Sequence, residues 1–252
     1  MNDSSLHSRV HPAVIPASRL RESVTNFWRD FMYWTVAHFP IFVRVTRPFF
    51  LWFALNCSKA LRDGPTANAR RLLGPDASDK DVDQLRRKMV QSAYMSIYEL
   101  GRAAKASPAA LHDWIEQVDG LEHYLKARES GNGAIVVTAH IGPFEVSLAA
   151  LKEREKRIHV VYLRDTRSGF DHLRSALRKK LGVDEVATND GWSIWRRMRD
   201  ALEANELVVI QGDRVMPGQR GVSVPFLNGH ILLPTGPIKL AMATGSPIIP
   251  IF

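Results

Sequence analysis

The sequence contains a single cysteine, Cys57, among 252 residues. An internal disulfide framework is therefore excluded, and a reducing compartment fits. No uncharged apolar run approaches the roughly 20 residues that a membrane-spanning helix needs. Residues 1–20 hold Ser, Pro and Arg without the apolar core of a secretory leader, and they read as a mobile tail. A P-loop, a zinc-ligand cluster, an internal repeat and a nucleic-acid motif are all missing, as is the Gly-x-Ser-x-Gly elbow of serine hydrolases. Acidic residues are in deficit, 26 against 34 Lys and Arg, giving a formal charge of +8. That imbalance points to a polyanionic partner: nucleic acid, an anionic membrane face, or an acidic carrier and headgroups.

What is present is enough apolar residue, 45% of the chain, for one sizeable core with a small appended element. Aromatics are concentrated in Asn26–Asn56, which holds Trp28, Trp34 and Trp52 together with Phe27, Phe31, Phe39, Phe42, Phe49, Phe50 and Phe53. Arg29, Asp30, Arg44 and Arg47 interrupt this segment, and Pro40 and Pro48 are expected to break it. Aromatics interleaved with arginines suit a segment lying in the headgroup region of a bilayer. The plainer alternative is an aromatic hairpin packed on the protein's own core. Ala67–Gly101 reads as a helical connector, with one helix ending at Gly74 and the next capped by Ser78 or Asp79. Val82, Leu85, Met89, Ala93 and Ile97 form an apolar stripe on that second helix. Ser107–Lys126 continues helical or looped, with a brief strand and turn predicted at Val118-Asp119-Gly120. Residues 21–130 thus make an N-terminal helical, membrane-interface and connector region.

Residues 131–252 alternate. Strands are predicted at Ala134–Val137, Ile158–Leu163, Val183–Val186, Leu207–Gln211 and Pro247–Phe252. Helices are predicted from Phe144, over Asp171–Leu181, over Trp192–Ala204 and over Thr235–Thr244, with a long loop after Gln211. This alternation predicts an α/β fold with a mostly parallel central sheet flanked by helices. Sites on such sheets lie at the C-terminal ends of the strands. His140, Arg164 and Asp213 each follow a strand, so they are expected on one rim.

Chemistry is concentrated in Gly133–Ala150, GAIVVTAHIGPFEVSLAA. A short apolar run suits a strand buried on both faces. Gly142 is placed as N-cap and Pro143 as the first residue of the following helix. That puts Glu145 at the third helical position, where the helix dipole favours its charge. Across the strand-to-helix turn, Glu145 can reach His140. A carboxylate on one imidazole nitrogen fixes the tautomer and leaves the other free to accept a proton from an alcohol or water. Taken alone, the spacing favours a loop-bound His and a Glu at a helix start, since short motifs match by accident.

His140-Ile141-Gly142-Pro143-Phe144-Glu145 resembles the H-x4-D/E motif of the lysophospholipid acyltransferase superfamily, and more narrowly that of the late acyltransferases of lipid A biosynthesis. Further blocks match in order. Val160-Val161-Tyr162 with Asp171 is similar to the second. Gly212-Asp213-Arg214, Gly221 and Val224-Pro225-Phe226-Leu227 are similar to the third. Pro234-Thr235-Gly236-Pro237 with Leu240-Ala241 and Gly245 is similar to the fourth. Many relatives carry Tyr-Arg-Pro where this chain has Tyr162-Leu163-Arg164. The Arg is displaced by one residue, which on a regular strand reverses its direction. Relatives usually continue past a strand like Ile248–Phe252, so a core incomplete at its C-terminal end is expected.

The resemblance implies a membrane-associated O-acyltransferase on the cytoplasmic face of the inner membrane. An acyl thioester on acyl carrier protein or CoA would acylate a hydroxyl of a lipid or glycolipid acceptor. His140 would be the general base, assisted by Glu145. Arg164, Asp213 and Arg214 would bind substrate, with Arg214 meeting phosphate or the developing oxyanion, and Pro225 and Phe226 would shape the wall of the acceptor cleft. No metal, bound cofactor or nucleic acid is implied. A lipid ester or thioester hydrolase, and a non-enzymatic basic membrane-binding protein, are the rival readings. Trp192 and Trp195 are expected in the core, His159 and His230 in structural roles, and Arg178-Lys179-Lys180 and Arg196-Arg197 with Arg199 on solvated helix faces.

Overall fold

The computed structural model describes residues 31, 34–36, 38–164, 169–216 and 218–252. The tail expected over residues 1–20, and Phe27 and Trp28, lie outside them. Helix α1 spans Pro40–Cys57, α2 Lys59–Leu73, α3 Asp79–Lys105, α4 Pro108–His112 and α5 Leu121–Arg128. The remainder alternates: β1 Ala134–Thr138, α6 Phe144–Lys152, β2 Ile158–Tyr162, α7 Gly169–Lys180, β3 Asp184–Ala187, α8 Ser193–Glu203 and β4 Leu207–Gln211. It continues with β5 Gly221–Phe226, β6 Gly229–Pro234, α9 Gly236–Thr244 and β7 Ile248–Pro250.

Five strands form one parallel sheet in the order β3-β2-β4-β1-β7. Side chains alternate across it, as strand geometry requires. Ala134, Val136, Val160 and Val209 face α3, α6 and α7, whereas Ile135, Val186 and Val208 face α8 and α9. Both faces are covered, which explains the uninterrupted apolar runs. The expected mostly parallel α/β sheet is what the structure contains.

Three local expectations are corrected. Val118–Gly120 forms no strand, because Gly120 adopts φ +73 and caps α5. The stretch after Gln211 contains an antiparallel hairpin, β5 paired with β6, which places His230 in a strand opposite Pro225. Pro48 does not break α1, and Pro40 starts it. An interior proline costs a helix about 3 kcal/mol. Here the buried face offsets that cost: Val43, Ala54 and Leu55 are buried, and Phe50 stacks on Tyr94 with ring centroids 4.2 Å apart.

The opposite face of α1 stays exposed. Ile41, Phe42, Val45, Phe49, Trp52 and Phe53 are all exposed. At 100° per residue they fall within an arc of about 120°. No helix among the described residues is long and apolar enough to cross a membrane. Helix α1 is therefore amphipathic, with its buried face packed on α3 and its aromatic face exposed.

Candidate active site

β1 and β4 are neighbours in register, with Thr138 opposite Gln211, so the residues following them meet at the sheet's C-terminal rim. Gly212 lets them meet closely. Its N–H donates to the Thr138 carbonyl at 2.8 Å, and a Cβ at this position would lie 2.8 Å from Cγ1 of Val137. The next residue, Asp213, accepts a hydrogen bond from Nδ1 of His140 at 2.7 Å. Its other oxygen, Oδ2, lies 3.9 Å from Nε of Arg214. Burial pushes the Asp213 carboxyl upward, but the His140 hydrogen bond and charge and two backbone N–H groups outweigh it, leaving its pKa below the ordinary carboxylate value.

Nδ1 donates to a carboxylate only in the tautomer that leaves Nε2 as a proton acceptor, or as the imidazolium. Among the described residues, Nε2 of His140 carries no hydrogen bond. The arrangement is an imidazole oriented by a carboxylate, at the rim where sheets of this class hold their ligands.

Glu145 is placed elsewhere than the motif suggested. Gly142 takes φ +59, and the helix begins at Phe144 with Pro143 as its cap. Glu145 thus falls at the second helical position and points inward, buried, toward α7, where Nε of Arg174 lies 3.4 Å from its carboxylate. No hydrogen bond joins it to His140 among the described residues, because the one-residue shift turns it off the histidine.

His140, Glu145 and Arg214 line one cleft of about 1840 Å³. That exceeds the 300–1,000 Å³ usual for a single small ligand, so it has room for two. Its inner wall comes from α3, where Met89 and Ala93 of the expected apolar stripe line the cleft, not the core. Buried Arg178 lines it too. Its guanidinium contacts Glu185 at 2.6 Å and Asp171 at 3.5 Å, and sits 4.5 Å over the Tyr162 ring. The expectation of a solvated Arg178 is thereby corrected. Asp171, Arg174 and Arg178 recur at helical spacing on one face of α7, a signal that was readable in the sequence.

Like Asp213, three other predicted residues do not line the cleft. Arg164 sits on the rim but turns away, making two hydrogen bonds to Asp190 at 2.7 and 3.2 Å, while Tyr162 and Leu163 take the cleft positions. Its one-residue displacement accounts for this. Pro225 and Phe226 are exposed on the β5–β6 hairpin, whose Asn228 bonds the Arg71 carbonyl at 2.9 Å. Conversely, Trp192 and Trp195, expected in the core, line the cleft, with Trp192 89% exposed. His159, near the start of β2, is held at 2.6 Å by Glu206, which precedes β4, at the N-terminal ends of the strands. His230 lies in β6.

The profile of the bacterial lipid A biosynthesis acyltransferases matches residues 17–252. The chain belongs to this family. Among curated proteins it is similar to the phosphatidylinositol mannoside acyltransferase of Mycolicibacterium smegmatis, 24% identical over 188 residues, which cover 73% of this chain and 60% of that protein. The protein of the same description from Mycobacterium tuberculosis H37Rv is 25% identical over 134 residues, covering 53% of this chain and 42% of that one. The chain therefore spans about three fifths or less of the length of these relatives. Within the family's H-x4-D/E motif, the histidine of this chain meets a carboxylate from outside the motif, and the motif's own Glu meets an arginine.

Proposed function

We propose that this protein transfers a fatty acyl group from a thioester, carried by acyl carrier protein or CoA, to a hydroxyl of a glycolipid. His140 is the general base. Its Nε2 takes the hydroxyl proton as the alkoxide oxygen attacks the thioester carbonyl, and Asp213 holds the ring and stabilises the imidazolium. The tetrahedral intermediate carries its negative charge toward Arg214 and the backbone N–H groups near Pro143. Collapse re-forms the carbonyl, breaks the carbon–sulfur bond and expels a thiolate, which accepts the proton from His140. The products are an acylated lipid and a free thiol, without an acyl-enzyme. Cys57 lies on α1 and takes no part.

The observation that carries this reading is the 2.7 Å His140–Asp213 pair on the edge of a cleft with room for two substrates. The glycolipid acceptor is supported by the relatives, whose names specify phosphatidylinositol mannoside. Peripheral attachment at the cytoplasmic face of the inner membrane, through the exposed face of α1, brings lipid acceptors to the cleft.

The test incubates the full chain and His140→Ala in membranes with labelled acyl carrier protein thioester or acyl-CoA and a lipid extract. Products are read by mass spectrometry. A new acylated lipid formed only by the unmodified protein is expected. Free fatty acid alone would reassign the site to hydrolysis, and equal products from both proteins would remove His140 from the chemistry.

A further inference from the structure

One wall of the cleft takes no part in the mechanism above. Arg196 on α8, Arg220 before β5 and Lys239 on α9 all line it. Among the described residues, none of these three side chains has an ion pair or hydrogen bond. Of the other cations of the cleft, Arg214 lies beside Asp213 at 3.9 Å, Arg174 is paired with Glu145, Arg178 with Glu185 and Asp171, and Arg199 with Asp200 and Glu203.

The three come from distant parts of the chain, but contacts around Thr235 and Gly236 link the segments that carry them. The backbone N–H and the hydroxyl of Thr235 both bond the Arg220 carbonyl at 3.4 Å. Lys239 donates its backbone N–H to the Thr235 carbonyl at 3.1 Å. Gly236 sits against Trp195, the neighbour of Arg196, with only 3.4 Å between a Cβ built there and the indole. Three uncompensated cations on a concave wall repel one another and concentrate anions from solution. Guanidinium forks and an ammonium suit the oxygens of a phosphate ester.

We infer that Arg196, Arg220 and Lys239 form a phosphate-binding subsite, which holds a phosphate ester of one of the two substrates during transfer. The anion site stands on the geometry; that its phosphate belongs to a substrate rests on the proposed function. Two sources share the chemistry. The donor's pantetheine arm ends in a phosphate, and an acceptor phospholipid carries one in its headgroup.

Binding is measured in the full chain by fluorescence of Trp192 and Trp195 or by calorimetry. The proteins compared are the unmodified chain, the Arg220→Gln/Lys239→Gln double variant and the charge-conserving Arg220→Lys/Lys239→Arg variant. Donor probes are CoA and pantetheine, acceptor probes glycerophosphoinositol and inositol, and pyrophosphate reports the bare anion. The neutralised variant is expected to bind pyrophosphate at least tenfold more weakly, with the charge-conserving variant recovering most of the loss. A parallel loss for CoA but not pantetheine assigns the phosphate to the donor. A loss for glycerophosphoinositol but not inositol assigns it to the acceptor. Equal affinity of all three proteins for pyrophosphate, CoA and glycerophosphoinositol would overturn the subsite. If acyl transfer is never observed while the pyrophosphate loss persists, the subsite stands and the reaction falls.

Discussion

The Nδ1 atom of His140 is hydrogen-bonded to Oδ1 of Asp213 at 2.7 Å, across two adjacent parallel strands and 73 residues of chain. The charge of Asp213 is therefore the feature of the site most open to test. Asp213→Asn keeps the shape but removes the charge that stabilises an imidazolium. It is expected to lower kcat about 10²-fold or more, the scale of a positioned base, with little change in KM. The sign of the accompanying pH effect follows from the depressed pKa of Asp213. A carboxyl with a lowered folded pKa contributes stability above its unfolded pKa and loses it as pH falls through the folded value. The stability gap between the protein and Asp213→Asn should close as pH falls below about 4. Denaturant melts across that range measure it.

Gly212 controls how near the two strand ends approach. In Gly212→Ala the new methyl would meet a β-branched side chain at 2.8 Å, with few rotamers into which to retreat. The expected cost is about 1–3 kcal/mol in stability. A displaced Asp213 should add a fall in kcat beyond what that stability loss explains. Comparing kcat well below the melting temperature separates the two.

The exposed face of α1 predicts a dissociation between binding and folding. Phe49 and Trp52 are 70% and 59% exposed. Phe49→Ser with Trp52→Ser should leave the thermal melt almost unchanged. Each ring withdrawn from a bilayer should weaken vesicle partitioning by about 1.5–3 kcal/mol. Sedimentation with anionic vesicles measures the loss; unchanged partitioning would detach this face from the membrane.

Beyond the N-terminal ends of the strands, Glu155 is buried between Tyr124 and Arg128. Nε and Nη2 of Arg128 reach its two oxygens at 2.7 and 3.0 Å, and the arginine also bonds Asn205 at 2.9 Å. Burial, followed by the hydrogen bond to Glu155, pushes the Tyr124 hydroxyl above its ordinary pKa. Glu155→Ala removes one partner of a buried pair, for which about 3–5 kcal/mol of destabilisation is expected. Since Glu155 does not line the cleft, kcat of the remaining folded protein should be unaffected.

The parallel sheet was legible because buried strands are continuous apolar runs separated by amphipathic helices, and β1, β2 and β4 fall where those runs lie. His140 was legible through its place after such a run. Asp213 was legible as sharing its rim, but not as its partner, because a spacing rule sees only neighbours along the chain, whereas strand order brings Asp213 against the histidine. The hairpin was obscured by Pro225, which demotes a strand, although Asn228-Gly229 beside Phe226 is a hairpin signal. Its turn is built on Leu227 and Asn228, with Leu227 itself at φ +51. Met89 and Ala93 read as core because an apolar helical stripe has the same pattern whether it meets a strand or an open cleft.

The strand order also fixes when the site can exist. β1 is flanked by β4 and β7, both made later, and never by β2, its successor in the chain. While the polypeptide is being synthesised, the histidine-bearing strand has no sheet partner until β4 has emerged. Pairing of β1 with β4 and formation of the His140–Asp213 contact are then one event, with the long-range contacts that make such steps slow. A nascent chain holds an unoriented imidazole until β4 and the Asp213 that follows it are in place.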